Sequence, residues 1–273
     1  MTIKLIAIDI DGTLLNDDKK WTEKGKEAIH AAKKAGIQVV LCTGRPFPGV
    51  TDYLKELEFT HEDDYVITYN GALVQKVASE EILAEYTMTH EDYLVLQEAA
   101  STAGTHFHAI INEGIFTPNK DISMYSVRES FLINIPLFYR EPKEMDPSTH
   151  YNKMMMIDHP SVLEEAISRL PKHLWDDYTV LRSEPFFLEF VNKQASKGMA
   201  VKALAERLGY SSSEVMAIGD GGNDVDMVDY AGIGIAMENA TDDVKAVSDI
   251  VTKSNNEDGV AHAIFTYALN QNR

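Results

Sequence analysis

Short apolar runs alternate with amphipathic stretches near the start of the chain. The runs at residues 5–8, 37–41 and 65–69 have the length and composition of buried strands. Between the first two runs, Thr22 can cap a helix whose apolar positions recur at helical spacing and whose end coincides with Gly36. A second helix is predicted to begin at Pro46. This order of strands and helices predicts a parallel sheet with right-handed crossovers.

The pattern changes in the middle of the chain. Helical spacing at residues 90–103 and 160–170 is interleaved with strand patterns at residues 105–111, 151–157, 178–183 and 187–192. The earlier alternation resumes near Lys197, with short strands at residues 234–237 and 250–252 and a last helix over 260–269. We therefore expect an α/β core with a parallel sheet, formed by residues 1–83 and 192–273, and an inserted α+β domain formed by residues 84–191.

Two carboxylates follow the first apolar run directly. Asp9 and Asp11 are two residues apart, and side chains two apart on a strand point the same way. If both were charged and unpaired they would repel each other, so a bound cation, a shared proton or a sharp turn has to relieve the repulsion. Gly12 permits such a turn, and Thr13 places a hydroxyl beside it.

Three further polar segments are predicted to lie at the same edge of the sheet. Residues 43–45, Thr-Gly-Arg, follow the second strand, and residues 219–224 follow an apolar run at 215–218. Lys197 stands at the start of an amphipathic helix. Parallel strands end at one edge of a sheet, and ligands of such sheets bind there. We therefore expect a hydroxyl, a lysine and a second acidic loop to converge on Asp9 and Asp11.

Each of these segments also has a purely structural explanation. Asp220 and Asp224 can form a turn and cap the next helix, Thr43 can cap a helix, and Lys197 can be a solvated first-turn residue. Arg45 fits a substrate contact and a surface ion pair equally well. The joint occurrence of four such segments at strand or helix ends favours one shared site.

In order and spacing, the four segments resemble the motifs of the haloacid dehalogenase superfamily of phosphotransferases. The insertion between the second and third motifs resembles, in length and coarse pattern, the cap of the Cof-type sugar phosphatases. The resemblance covers essentially the whole chain. It implies a Rossmann-like parallel-sheet core with an inserted C2-type cap that carries substrate specificity.

The resemblance further implies a Mg²⁺-dependent phosphatase of small phosphorylated metabolites, with sugar phosphates as the leading class. Asp9 would attack phosphorus and form an aspartyl-phosphate, and Asp11 would act as general acid and then as general base. The implied metal positions are Asp9, the backbone carbonyl of Asp11, Asp220 and Asp224, the last of which would orient a metal-bound water or Lys197. The implied phosphate-binding positions are Ile10, Thr43, Gly44, Lys197 and Asn223. The candidates for substrate contacts are Arg45 and Asn70.

Two other interpretations stay open at this point. A phosphomutase of the same superfamily would use Asp9 and Asp11 but return the phosphoryl group to a second substrate position. A non-enzymatic phospho-acceptor module also surrounds Mg²⁺ with acidic residues, a threonine and a lysine. In that module the acceptor aspartate would follow a middle strand, and a long insertion would not be expected.

Composition narrows the possible partners. The 273 residues are 44% hydrophobic, enough for a large core with a smaller domain, and Cys42 as the only cysteine excludes an intramolecular disulfide. No apolar run reaches the roughly 20 residues that span a bilayer, and the chain enters a strand at once, so we expect a cytoplasmic protein without a membrane partner.

The net charge of -18 argues against nucleic acid as a partner. It does not exclude an anionic substrate, because exposed charges are screened over about 8 Å. No feature indicates the oligomeric state.

Overall fold

The computed structural model of the chain describes residues 2–269. Within that range the strands are β1 (Leu5–Asp9), β2 (Gln38–Cys42), β3 (Tyr65–Thr68), β4 (Leu73–Lys76), β5 (Ile82–Glu85), β6 (His106–Ile111), β7 (Gly114–Thr117), β8 (Leu137–Tyr139), β9 (Lys153–Ile157), β10 (Tyr178–Glu184), β11 (Phe187–Asn192), β12 (Val215–Gly219), β13 (Ile233–Ala236) and β14 (Ile250–Val251). The α-helices are α1 (Glu23–Lys34), α2 (Thr51–Glu56), α3 (His90–Ala103), α4 (Met124–Ile133), α5 (Pro160–Arg169), α6 (Leu174–Asp177), α7 (Lys197–Leu208), α8 (Val225–Tyr230), α9 (Asp242–Val247) and α10 (Gly259–Ala263), which continues as a π-helix over Ile264–Leu269.

The first of two compact units contains residues 2–44, 51–85 and 196–269. Its sheet has the strand order β14-β13-β12-β1-β2-β3-β4-β5. The strands from β14 to β3 are parallel, and β4 and β5 add an antiparallel edge. The predicted parallel α/β sheet is confirmed. The strand order reverses between β1 and β12, and in open sheets of this kind ligands bind outside such a switch point.

Alternate residues of the central strands pack against α7. Leu5 and Ala7 of β1 and Val40 and Cys42 of β2 form a buried core with the apolar face of that helix, which consists of Ala200, Val201, Leu204 and Ala205. Burial raises the pKa of the Cys42 thiol, so this side chain serves as a small apolar group. The packing fixes the start of α7 beside the end of β1.

The second unit contains residues 45–50 and 86–195. Its sheet has the order β10-β11-β9-β6-β7-β8 and is antiparallel apart from the β7–β8 pair. Helices α3 and α5 cover one face through a core that includes Tyr93, Leu96, Phe107, Met154 and Leu163. The predicted helices and strands of this α+β unit are present, with ends that shift by one or two residues.

Several elements differ from the prediction. The hydrophobic pattern does not predict α4, β7 and β8, or the antiparallel strands β4 and β5. In place of a helix that begins at Pro46, a single 3₁₀ turn over Phe47–Gly49 precedes α2. Pro48 in this turn has no N–H to donate, so a regular helix begins only after it. Among residues 2–269 no helix is both long and apolar enough to cross a membrane.

Candidate active site

Asp9 lies at the carboxyl end of β1, at the switch point next to β12. The chain turns sharply after it, with Gly12 at φ 88°. The turn is closed by the Leu14 and Leu15 N–H groups, which donate to the carbonyls of Asp9 and Ile10 at 3.2 and 2.9 Å. Asp9 therefore stays buried against the sheet, while Asp11 leaves it and is only half-buried.

Lys197 is a fully buried lysine at the first position of α7. Its Nζ lies 2.5 Å from Asp9 Oδ1 and 2.6 Å from Asp224 Oδ1. The helix begins here because the Ser196 hydroxyl caps it by accepting a hydrogen bond from the Met199 N–H. Helix packing and capping together place the Lys197 ammonium beside Asp9 at the end of β1.

Asp224 connects the lysine to the loop after β12. Its Oδ1 accepts from Lys197, and its Oδ2 accepts from the backbone N–H groups of Asp220 and Gly221 at 2.9 and 3.0 Å. This carboxylate is buried, and both of its oxygens are bound to donors. Its geometry is that of a residue that orients Lys197 and the Asp220 loop.

Three carboxylates form a cluster suited to a metal ion. One oxygen each from Asp9, Asp220 and Asp224 lies within 4.8 Å of the others. With the Lys197 ammonium, three carboxylates leave a formal charge of about −2, which a divalent cation would neutralise. Carboxylate oxygens are the ligands that Mg²⁺ prefers. The donor set and its charge therefore fit Mg²⁺.

The electrostatics of the cluster follow from burial and from its shared charge. Burial raises the pKa of Asp9 well above its ordinary value, the carboxylates of Asp224 and Asp220 add to the rise, and Lys197 opposes it. Burial also raises the pKa of Asp220, while the Thr13 hydroxyl lowers it through a 2.7 Å hydrogen bond. For Lys197, burial alone would lower the pKa, but Asp224 and Asp9 outweigh it and hold the pKa above its ordinary value. The lysine thus carries a fixed positive charge.

The predicted phosphate-binding residues follow neighbouring strand ends. Thr43, directly after β2, is buried, and its N–H donates to the Ile67 carbonyl at 2.9 Å. Its own carbonyl accepts from the Asn70 N–H at 2.9 Å. Asn223 donates from Nδ2 to Asn70 Oδ1 at 2.9 Å. The structure therefore brings Asn70 and Asn223, which lie 153 residues apart, into contact.

Asp11 and Arg45, two further residues predicted for the site, are less buried than Asp9, Lys197 and Asp224. Asp11 forms an ion pair with Lys19, with Nζ 3.2 Å from Oδ1, and its side chain is 35% exposed. Arg45 is half-buried and begins the segment of residues 45–50 that belongs to the second unit. Its assignment to the substrate stays a prediction.

Comparison with known proteins identifies the family. Residues 6–264 match the model of the haloacid dehalogenase-like hydrolases. The chain belongs to this family.

A Streptococcus pyogenes protein named "Putative phosphatase" is 47% identical over 270 residues, which cover 99% of this chain and 100% of that protein. The crystal structure of a haloacid dehalogenase-like hydrolase from Bacteroides thetaiotaomicron has a TM-score of 0.85 and 33% identity, covering 97% of this chain and 99% of the other. A subclass IIB sugar phosphatase of the superfamily has a TM-score of 0.78 and 25% identity, covering 97% and 99% of the two chains.

In this haloacid dehalogenase-like hydrolase, three polar residues without a predicted role support the site. Thr13 donates to Asp220, Asn239 Nδ2 donates to the Gly12 carbonyl at 2.8 Å, and Asn255 Nδ2 donates to the Leu15 carbonyl at 3.0 Å. Together they hold the turn after β1. A sequence signal exists for Asn239, because it follows β13 closely and so comes from the same sheet edge.

Proposed function

We propose that the chain is a Mg²⁺-dependent phosphatase that hydrolyses small phosphorylated metabolites, with sugar phosphates as the main class. The observation that carries this proposal is the buried Asp9 carboxylate, 2.5 Å from the Lys197 ammonium and clustered with Asp220 and Asp224 at the switch point of the sheet. The similarity to a protein named as a phosphatase and to a sugar phosphatase supports the choice of substrate.

Asp9 is the nucleophile in this proposal. Its carboxylate oxygen attacks phosphorus in line, the bond from phosphorus to the sugar oxygen breaks, and an aspartyl-phosphate forms. Lys197 balances the charge of the carboxylate and then of the phosphoryl group, which reduces the repulsion between two anions. The lysine is buried and held by two carboxylates, so it is already oriented before the substrate binds.

Asp11 is the general acid and then the general base in this proposal. In the first step it donates a proton to the departing sugar oxygen. In the second it takes a proton from the water that attacks the aspartyl-phosphate, whose bond between phosphorus and the Asp9 oxygen breaks to release inorganic phosphate and restore Asp9. The proton taken in the second step restores the acid used in the first, and the half-exposed position of Asp11 leaves it accessible to the attacking water.

The phosphoryl oxygens require several hydrogen-bond donors. We assign this role to the Thr43 hydroxyl, the backbone N–H groups of Ile10 and Gly44, the Asn223 amide and the Lys197 ammonium. They come from four separate loops at the carboxyl edge of one sheet, which supports a common target.

Mg²⁺ is proposed to bind to Asp9, the backbone carbonyl of Asp11 and Asp220, with Asp224 fixing the loop that carries Asp220. When bound, the ion supplies positive charge that neutralises the phosphate and aligns it with the nucleophile. The hydrogen bond from Thr13 fixes one oxygen of Asp220 and leaves the other directed toward the Gly12 turn.

The second unit is proposed to act as the cap that sets specificity, and Arg45, which is grouped with it, is proposed to contact the substrate. A small metabolite, and neither nucleic acid nor a membrane component, is the expected partner, because the chain carries a net charge of -18. A cytoplasmic location is part of the same proposal.

The test is phosphate release from a panel of sugar phosphates, with and without Mg²⁺, by the wild type and by Asp9→Asn. Asp9→Asn keeps the shape of the side chain and removes the nucleophile, so turnover should fall by at least about 10⁴-fold. Asp18→Asn, an exposed neighbour on the same loop, is the control and should retain activity. Undiminished turnover by Asp9→Asn would refute the proposal. Transfer of phosphate to a second position, without release, would indicate a mutase, and a stable phosphoprotein would indicate an acceptor module.

A further inference from the structure

We infer that the turn Tyr69–Gly71 is a positioning element of the phosphate site and that Asn70 is its central residue. The inference rests on the proposed function of that site. It changes the role predicted for Asn70 from the sequence: the hydrogen bonds of this residue go to the loops that would hold the phosphoryl group.

The turn has an unfavourable backbone conformation. Three consecutive residues have positive φ: Tyr69 at 50°, Asn70 at 56° and Gly71 at 95°. For residues other than glycine the left-handed region is unfavourable, because Cβ comes too close to the following carbonyl oxygen. Such conformations persist where surrounding contacts hold them, and they concentrate at functional sites. The contacts of this turn therefore indicate what it does.

The first contact is with the loop after β2. The Asn70 N–H donates to the Thr43 carbonyl at 2.9 Å. The amide of Asn70 also lies flat against Gly44, where a Cβ atom would come within 2.9 Å of Asn70 Oδ1. The backbone and the side chain of one residue thus hold both Thr43 and Gly44.

The second contact is with the loop after β12. Asn223 donates from Nδ2 to Asn70 Oδ1 at 2.9 Å. Asn223 is itself exposed and lies beside the buried Asp224, so this hydrogen bond restrains an otherwise solvated side chain. Its amide is kept at the sheet edge from which Thr43 and Gly44 also come.

The third contact is with the start of α7. A Cβ atom on Gly71 would overlap the carbonyl of Ser196, so the turn packs directly on the residue that caps the helix. Lys197 is the next residue. One turn of three residues therefore contacts the segments that carry Thr43, Asn223 and Lys197.

Asn70→Gly tests this role without adding backbone strain. Glycine adopts positive φ freely, so the variant keeps the turn and removes only the side chain. We expect kcat/KM for a sugar phosphate to fall by about tenfold to 100-fold, since small misplacements of catalytic groups have effects of this size. Inhibition by orthovanadate should weaken in parallel, and the Tm should stay within about 2 °C of the wild type.

Asn134→Gly is the matched control. Asn134 has nearly the same left-handed backbone, φ 53°, at the end of α4 in the second unit. The same substitution there should leave kcat/KM and vanadate inhibition unchanged. A double-mutant cycle of Asn70→Gly with Asn223→Ala should be non-additive, because either change removes the same hydrogen bond.

Hydrogen exchange tests the inference independently of turnover. In Asn70→Gly, amides of residues 43–44 and 220–224 should exchange faster than in the wild type, and in Asn134→Gly they should not. Unchanged exchange in both segments would overturn the inference even if the protein is an active phosphatase. If faster exchange occurs in a protein that hydrolyses no phosphate ester, Asn70 still holds the two loops, and it is the proposed function that fails.

Discussion

Asp9 and Asp11 are chemically identical residues in different surroundings. Asp9 is buried against Lys197, and Asp11 is 35% exposed and 3.2 Å from Lys19. A buried carboxylate held by a lysine can attack along one fixed direction, and a half-exposed carboxylate can exchange its proton with water. The proposed function assigns the two carboxylates different roles on this basis, by the same logic as paired acids in other enzymes.

The acid role of Asp11 predicts a dependence on the leaving group. Asp11→Asn should slow the hydrolysis of a sugar phosphate by about 10²–10⁴-fold, the usual contribution of general acid–base catalysis. A nitrophenyl phosphate should be affected less, because its leaving group departs without a proton. The measurement is kcat/KM for both substrates with the variant and the wild type.

Lys19→Met is the control for this experiment, because it removes the ion pair and keeps the carboxylate. It should change both substrates by the same small factor. Equal slowing of both substrates by Asp11→Asn would contradict an acid role. The proposed contact of the Asp11 backbone carbonyl with Mg²⁺ would then be the remaining role of this residue.

At the scale of elements, the turn after β1 depends on a glycine for two separable reasons. Gly12 has φ 88°, and a Cβ atom there would overlap the carboxylate of Asp220. Gly36, after α1, has φ 81° but no atom within 4 Å of the same position. The two glycines share the backbone requirement and differ in the steric one.

Gly12→Ala should therefore lose activity that Gly36→Ala retains. Both variants should lose about 1–2 kcal/mol of unfolding free energy from backbone strain. Only Gly12→Ala should displace Asp220, with a loss in kcat/KM of about 100-fold or more. Denaturant unfolding and steady-state kinetics on the two variants measure the two effects, and equal kinetics would show that the contact with Asp220 is unimportant.

The sequence predicts the elements that obey simple periodicity and misses those that do not. In α4, Met124, Val127 and Phe131 are 72%, 54% and 86% exposed, whereas Glu129 is 6% exposed. These apolar side chains of the helix therefore face outward, and its sequence pattern does not mark the face that is buried. Strand β5 shows no alternation of buried and exposed residues either, since all of its residues are at least partly exposed.

The residues of the site also fall into two groups, those that strand ends predict and those that only the tertiary structure brings together. Strand ends predict that Asp9, Thr43 and Asp220 meet, because parallel strands share one carboxyl edge. The contact of Asn70 with Asn223 depends on a left-handed turn and on tertiary packing across 153 residues. No local pattern encodes such a contact, so the structure is needed to find it.

The burial of His108 of β6 against Ser126 of α4 predicts a pH dependence of stability. His108 is buried between Ser126 Oγ and Met155 Sδ, at 3.1 and 3.2 Å, and burial, with a smaller effect from Lys153, lowers its pKa to about 3. Lys153 in turn contacts Glu129 and Glu189. Because the folded pKa lies below the unfolded one, the stabilisation is complete above about pH 6.5 and is lost as the pH falls.

Between pH 6.5 and 5 the wild type should lose about 1.6 kcal/mol from this group, since a full pH unit costs about 1.4 kcal/mol and the unfolded histidine is already half protonated at pH 6.5. In His108→Gln this part of the pH dependence should disappear, whatever the variant's stability at neutral pH. His173→Gln, an exposed histidine of the same unit, is the control and should keep the wild-type slope. Denaturant unfolding at both pH values provides the measurement, and identical slopes in all three proteins would contradict a buried neutral His108.

At the scale of the whole molecule, the net charge of -18 complicates any test of metal binding. Every cation screens the repulsion between surface carboxylates and so stabilises the fold to some extent. An ion at the proposed site would do more, because the carboxylates of Asp9 and Asp220 are brought together in the folded state only. The two effects differ in their dependence on single residues.

Mg²⁺ at ten times its Kd should therefore raise the unfolding free energy of the wild type by about 1.4 kcal/mol beyond that in NaCl of equal ionic strength. Asp220→Asn should lose this increment, because the substitution keeps the shape of the side chain and removes a charged ligand. Asp229→Asn makes the same change in net charge at an exposed position of α8 and should keep the increment. If NaCl and Mg²⁺ stabilised all three proteins equally, screening would account for the whole effect, and the carboxylate cluster would be left without a metal.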